Sequence, residues 1–131
     1  MDENKEILWR QYQQHIDTYK FYLDIVVKIM GFYFAISGAI ISFYASNTTL
    51  ENIKLALYLP FITGIGLFTI FCIGAVLSLV TRKDVFEIRD TLGLKVAPET
   101  GVLTLLLVVF AIVNLTCVLG LAHVLWCSNA L

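Results

Sequence analysis

Two side chains near the start of the chain have the types and spacing for acid–base chemistry on a phosphate. Arg10 and His15 form an R-x4-H pair. A guanidinium binds phosphate oxygens through paired donors, and an imidazole exchanges a proton near neutral pH. The pair is short and degenerate, however, and His15 adjoins a line of apolar side chains where a histidine can simply pack or hydrogen-bond. We therefore expect no enzyme, no metal and no other cofactor, and we keep a nuclease using Arg10 and His15 as the last alternative.

The composition is not that of a soluble domain. Of the 131 residues, 59% are apolar and only 15% are charged, and the mean hydropathy is +0.83. A chain this short has too little interior to bury so much apolar surface, so we expect the surplus to face lipid. The net charge of -1 does not predict direct nucleic-acid binding. Because Cys72, Cys117 and Cys127 form no CxxC pair, they support neither a disulfide framework nor a zinc site.

Three apolar runs predict an all-α integral membrane protein with three transmembrane helices. Each run is long enough, or nearly so, to cross a hydrocarbon core of roughly 30 Å. The helix before the first run is expected to continue into it without a break, and Gly93 is expected to end a short helix after the second. The predicted segments are a cytosolic amphipathic helix at 1–28, the first span at 29–46, an outer loop at 47–54, the second span at 55–80, a cytosolic connector with a short amphipathic helix at 81–101, the third span at 102–126 and an outer tail at 127–131.

The basic residues predict how the chain is oriented. Only Lys54 lies in the loop between the first and second spans. The other basic residues precede the first span or lie between the second and third: Lys5, Arg10, Lys20, Lys28, Arg82, Lys83, Arg89 and Lys95. Basic residues collect on the cytoplasmic side of a membrane, so we expect the N-terminus in the cytoplasm and the C-terminus outside.

Two patterns predict a homo-oligomer. Large apolar residues recur at steps of three and four along the N-terminal helix, which is typical of a helix–helix seam held for about three heptads. Small residues in the first span permit close approach of helix backbones. The predicted interface comprises Trp9, Tyr12, Ile16, Tyr19, Leu23, Gly31, Gly38 and Ser42. The alternative is ordinary packing of the three helices within one monomer.

Two polar residues inside the third span are candidate functional residues. The Asn114 amide lies near mid-membrane and requires a hydrogen-bond partner. His123 lies on the same helix face as Thr116 and Gly120, toward the outer end, and is either a functional or a structural residue. No acidic residue lies in any span, which disfavours a proton-coupled or cation-coupled transporter.

The stretch from Leu8 to Tyr12 and His15, leading into Gly31 and the hairpin 29–80, resembles in layout the SLATT proteins of bacterial antiviral defence operons. The R-x4-H spacing is similar to that of RNases of the HEPN class and of CRISPR-associated membrane proteins that combine it with an oligomeric channel. The resemblance covers roughly the first 80 residues, and the third span departs from the SLATT pattern. It implies membrane permeabilisation or infection sensing, with a cytosolic partner encoded nearby.

The patterns above predict an oligomeric membrane protein, and the resemblance implies that it is an effector or sensor of antiviral defence in the inner (plasma) membrane of a bacterium. No face of any span is polar enough for a wide aqueous pore, so a pore would be narrow and hydrophobically gated. The alternative is a membrane anchor or scaffold that recruits a cytosolic protein through the N-terminal helix and the connector. The expected partners are therefore the lipid bilayer, further copies of this chain and a cytosolic protein.

Overall fold

The computed structural model describes residues 3–49, 52–94 and 101–127. These residues contain α1 (Glu3–Ser46), a 3-10 helix (Ile53–Leu57), α2 (Tyr58–Leu92) and α3 (Gly101–Trp126), and no strand occurs among them. The predicted all-α fold is confirmed. All three long helices have the length and the apolar composition that crossing a membrane requires.

The first helix is unbroken from the polar N-terminal segment through the first apolar run. α1 has 44 residues, which at 1.5 Å per residue gives a length of about 66 Å. That is more than twice a hydrocarbon core of roughly 30 Å. The predicted continuity of the N-terminal helix with the first apolar run is therefore confirmed.

The second helix begins later and ends later than the segments predicted from hydropathy. The chain enters it through Asn52, which has a φ of 62°, and through the 3-10 helix. Pro60 is its third residue, where no intrahelical N–H is required. No Gly or Pro occurs between Gly74 and Gly93, so the short helix expected within the connector is not separate but continues α2. The boundary of the second span at residue 80 stays a prediction.

Gly93 ends α2, as predicted. It adopts a left-handed conformation with a φ of 68°, and the N–H of Leu94 donates to the Arg89 carbonyl oxygen at 3.1 Å. This is the usual role of glycine after a helix C-terminus. The rest of the predicted connector up to residue 100, including Pro98, lies outside the described residues, as do most of the predicted tail and residues 1–2.

The core lies along the line where the three helices meet. One buried cluster joins residues of all three: Val26, Met30, Tyr33, Phe71, Leu103, Leu107 and Ala111. A second cluster near the other end joins Leu57 to Leu121 and Leu125. Between α2 and α3, the hydroxyls of Ser78 and Thr104 hydrogen-bond at 2.8 Å. A Cβ atom built on Gly74 would lie 3.5 Å from Leu107 Cδ1, so Gly74 and Ser78 of α2 both pack against α3.

Most large apolar side chains point away from this core. Phe32 is 69% exposed, Leu105 65% and Ile62 64%, and each belongs to a different helix. Trp126 is also exposed and packs with Phe61 at a ring-centroid distance of 5.3 Å. Contiguous exposed apolar surface of this kind is rare on soluble monomers and marks contact with lipid or protein.

Candidate functional site

A polar contact ties the three helices together near the middle of the apolar region. Asn114 Nδ2 of α3 donates to the Gly64 carbonyl oxygen of α2 at 3.0 Å. Tyr33 Oη of α1 donates to the Pro60 carbonyl oxygen of α2 at 3.2 Å. The Asn114 side chain therefore has the partner that its position required, although the sequence did not identify Gly64 as that partner.

Gly64 makes this contact possible because it has no side chain. A Cβ atom built there would lie 2.7 Å from Tyr33 Oη and 2.7 Å from Val118 Cγ2. Real Cβ atoms essentially never approach other atoms this closely. Backbones that approach through a small residue are typical of helix packing in membranes. Gly64 is thus the position at which side chains of α1 and α3 both closely approach the backbone of α2.

One atom of this contact lacks a partner. Asn114 is 0% exposed, and its Oδ1 atom accepts no hydrogen bond from the described residues. Asn114 Oδ1 lies 3.4 Å from the same built Cβ position on Gly64 that lies 2.7 Å from Tyr33 Oη.

A groove of about 980 Å³ lies between α1 and α2, with Leu103 and Leu107 of α3 at its inner side. Its apolar part contains Ile25, Ile29, Leu67, Ile70, Phe71 and Leu77. Its polar end contains Gln11, Gln14, His15, Thr18, Arg82 and Asp84. The volume is at the upper end of the range found for small-molecule sites, about 300–1,000 Å³. The groove therefore has room for a ligand with an apolar chain and a polar head.

The structure does not bring Arg10 and His15 into one site. His15 lines the groove and Arg10 does not. The Arg10 side chain is 75% exposed and forms a salt bridge with Glu6 at 2.8 Å. Residues five apart on an α-helix point in directions about 140° apart. A single phosphate between the two side chains is therefore not favoured by this geometry.

The predicted seam on the N-terminal helix is mostly used within the chain. Tyr12 is buried, and Ile16, Tyr19 and Leu23 are half-buried. Trp9 remains 39% exposed and stacks on Tyr12 with ring centroids 5.9 Å apart. Tyr19 and Leu23 pack against the buried cluster shared by all three helices. This is the monomer-packing alternative for these residues, and a role for them between subunits stays a prediction.

The small residues of the first span lie on an open face. A Cβ atom built on Gly31 or Gly38 would meet nothing within 4 Å, and Ser42 is exposed. None of the three lines the groove. His123 is exposed as well. On the same helix face, the Thr116 hydroxyl donates to the Ile112 carbonyl oxygen of its own helix.

Two residues of these sites were not identified from the sequence. Gly64 resembled any other glycine in a span, because its role depends on Tyr33 and Val118 of other helices. In the sequence, Arg82 served only as one of the basic residues that predict the orientation of the chain in the membrane. In the structure it lines the groove, and its Cζ atom lies 5.3 Å from the ring centroid of Phe86.

Within the described ranges, no three His, Cys, Asp or Glu side chains come together in a way that could hold a metal ion. No family model, no curated protein and no solved structure matches this chain.

Proposed function

We propose that the protein is an integral membrane protein with three spans, an N-terminus in the cytoplasm and a C-terminus outside the bacterial inner membrane. The exposed apolar side chains on all three helices support this proposal, because only lipid or protein can cover them. No Asp, Glu, Lys or Arg occurs between Lys28 and Glu51, between Lys54 and Arg82, or after Glu99. The uncharged segments fit the hydrocarbon core.

The ends of α1 and α2 that carry the charges lie on the same side of the bundle. α1 and α2 are antiparallel, as the contact of Tyr33 with Pro60 and the groove from Gln11 to Ile88 require. The residues before Lys28 and those after Val80 therefore project together beyond the uncharged segments. Their basic residues support the proposal that this helical pair lies in the cytoplasm.

Within the membrane, the protein is proposed to act as a homo-oligomeric effector or sensor without catalysis of its own. The observation that carries this proposal is the open face of α1, where nothing within the chain lies near the Cβ positions of Gly31 and Gly38. Ala35 and Ser42 lie on the same face and are also exposed. Small residues at steps of three and four allow two helices to approach closely, and lipid alone gains nothing from them.

The layout shared with membrane proteins of antiviral defence operons extends the proposal to infection sensing or membrane permeabilisation. A pore of this kind would form between subunits and would be narrow, since the exposed faces of the spans are apolar. A second candidate function is recruitment of a cytosolic protein. Ile7 is 50% exposed and Trp9 39% exposed on the cytoplasmic part of α1, and they offer a partner an apolar contact next to charged residues.

Replacing Gly38 with leucine is expected to reduce the assembly to a smaller species. The larger side chain would separate two α1 helices that touch at this position, while the monomer has open space there. The mass of the assembly is measured by mass photometry in nanodiscs. Gly66→Leu is the matched control, because Gly66 is equally open but lies on α2. A monomeric wild type, or equal masses for Gly38→Leu and wild type, would contradict the proposal.

A further inference from the structure

One face of α1 carries charged residues that continue into the small residues of the first apolar run. Residues seven apart on an α-helix point only about 20° apart, and the small residues proposed to meet between subunits continue at this spacing into charged ones. We call this face the polar stripe, and it comprises Asp24, Lys28, Gly31, Ala35, Gly38 and Ser42. All six residues are exposed, and none of them lines the groove between α1 and α2.

The two charged residues of the stripe form an ion pair whose depth follows from the packing of α1 against α2. Lys28 Nζ donates to Asp24 Oδ2 at 2.6 Å, and the two side chains are 64% and 62% exposed. Tyr33 Oη lies 2.7 Å from a Cβ position built on Gly64, so these two residues of the antiparallel helices are nearly level. Since both helices rise 1.5 Å per residue, Asp24 is level with Ile73, nine residues away in each helix.

This depth lies within the apolar part of the bundle. The pair lies beyond the uncharged part of α1 but not beyond that of α2. Residues 55–81 carry no charge and extend over about 40 Å, so a hydrocarbon core of roughly 30 Å includes the level of Ile73 wherever it lies within them. Val26, which lies between the two charged residues, belongs to the same buried cluster as Phe71. Ile73 is itself 55% exposed, so α2 presents apolar side chains to its surroundings at the level where α1 presents charges.

Hydrocarbon is an unfavourable environment for this ion pair. Charged side chains within membrane-spanning segments almost always face the interior of a bundle or a water-filled cavity. The opposite side of α1 packs against α2 and α3 through Val26 and Met30, so the stripe faces away from its own bundle. Further copies of the chain would cover it, because the small residues of the same stripe form the proposed contact between subunits. The opposite charges within each pair also let neighbouring copies approach without net repulsion.

We propose that the α1 helices of several copies enclose a water-filled vestibule that opens to the cytoplasm. Asp24 and Lys28 line this vestibule, and it narrows toward Gly31 and Gly38, where the helix backbones approach. The inference rests on the proposed homo-oligomer, and it adds a function for the charged half of the stripe, which brings water and small ions to the narrow part of the assembly. Since each copy contributes one carboxylate and one ammonium, the vestibule excludes neither cations nor anions.

The test measures how fast a water-soluble, membrane-impermeant maleimide labels single cysteines of the full chain in nanodiscs. In two chains, all three native cysteines are replaced by serine and the thiol is introduced by Asp24→Cys or Lys28→Cys. The control chain keeps only Cys72, which is exposed on α2 next to Ile73 and therefore lies at the same depth. In the assembled protein, the two introduced thiols should react at least about tenfold faster than Cys72, because the reactive thiolate forms in water and not in an apolar environment.

Discs that contain a single copy, identified by mass photometry, provide the state without a vestibule, and there all three thiols should react equally slowly. Slow labelling of both introduced cysteines in the assembled protein would overturn the inference, because the stripe would then be a dry contact or face lipid. Fast labelling in single-copy discs would overturn it as well, because the charged part of α1 would then lie outside the bilayer. A wild type that is monomeric at every protein-to-lipid ratio would overturn the proposed assembly and, with it, the inference.

Discussion

Replacing Asn114 with aspartate is expected to destabilise the three-helix packing by about 3 kcal/mol or more, because an uncompensated carboxylate would be buried. The two side chains have nearly the same shape, but the Nδ2 atom that donates to the Gly64 carbonyl oxygen at 3.0 Å would become an oxygen. That oxygen would face another acceptor at a position that is 0% exposed. The free energy of unfolding is measured by titration with SDS in detergent micelles.

Asn47→Asp is the matched control for this change. Asn47 Nδ2 also donates to a backbone carbonyl oxygen, that of Phe43 at 2.9 Å, but the contact is exposed. Water can replace an exposed hydrogen bond, so this variant should lose at most about 1 kcal/mol. Equal losses for Asn114→Asp and Asn47→Asp would show that the contact between α2 and α3 is not buried as described.

Gly64→Ala is expected to lower the free energy of unfolding by about 1–3 kcal/mol, the usual cost of overpacking a close contact. The added methyl group would lie 2.7 Å from Tyr33 Oη and from Val118 Cγ2, so the side chains of Tyr33 in α1 and Val118 in α3 must both shift. The hydrogen bonds from Tyr33 and Asn114 to α2 should weaken together, because both end near this glycine.

Gly66→Ala should have the opposite sign. No atom lies within 4 Å of the Cβ position on Gly66, and alanine is favoured over glycine in a helix interior by about 1 kcal/mol. The same SDS titration compares the two variants. A Gly64→Ala protein as stable as Gly66→Ala would show that the three helices do not meet at Gly64.

Local patterns in the sequence predicted the helices well. The apolar seam from Trp9 to Leu23 and the uncharged runs predicted three long helices, which the structure contains. Gly93 ends α2 as expected. The short connector helix was expected to be separate because the polarity changes at residue 80, whereas it is the continuation of α2. Helices end where the backbone is interrupted, and no Gly or Pro occurs between Gly74 and Gly93.

The contacts between helices were less predictable. Asn114 stood out because an amide in an apolar helix requires a partner, but nothing local identifies Gly64 as that partner, 50 residues away in sequence. The groove was equally hard to predict from local sequence. One of its walls comes from residues 11–29 of α1 and the other from residues 67–88 of α2, which are far apart in sequence. Gly31 and Gly38 could not be assigned a contact from the sequence or from the single chain, because nothing lies within 4 Å of a Cβ atom built on either residue.

The direct test of the proposed membrane topology is the location of the C-terminus. A reporter enzyme that is active only outside the cytoplasm is fused after Leu131, and its activity is measured in intact cells. The bias of eight basic residues against Lys54 predicts high activity, since three spans carry the chain from an inside start to an outside end. A silent fusion, together with an active cytoplasmic reporter at the same position, would contradict the three-span, N-in arrangement.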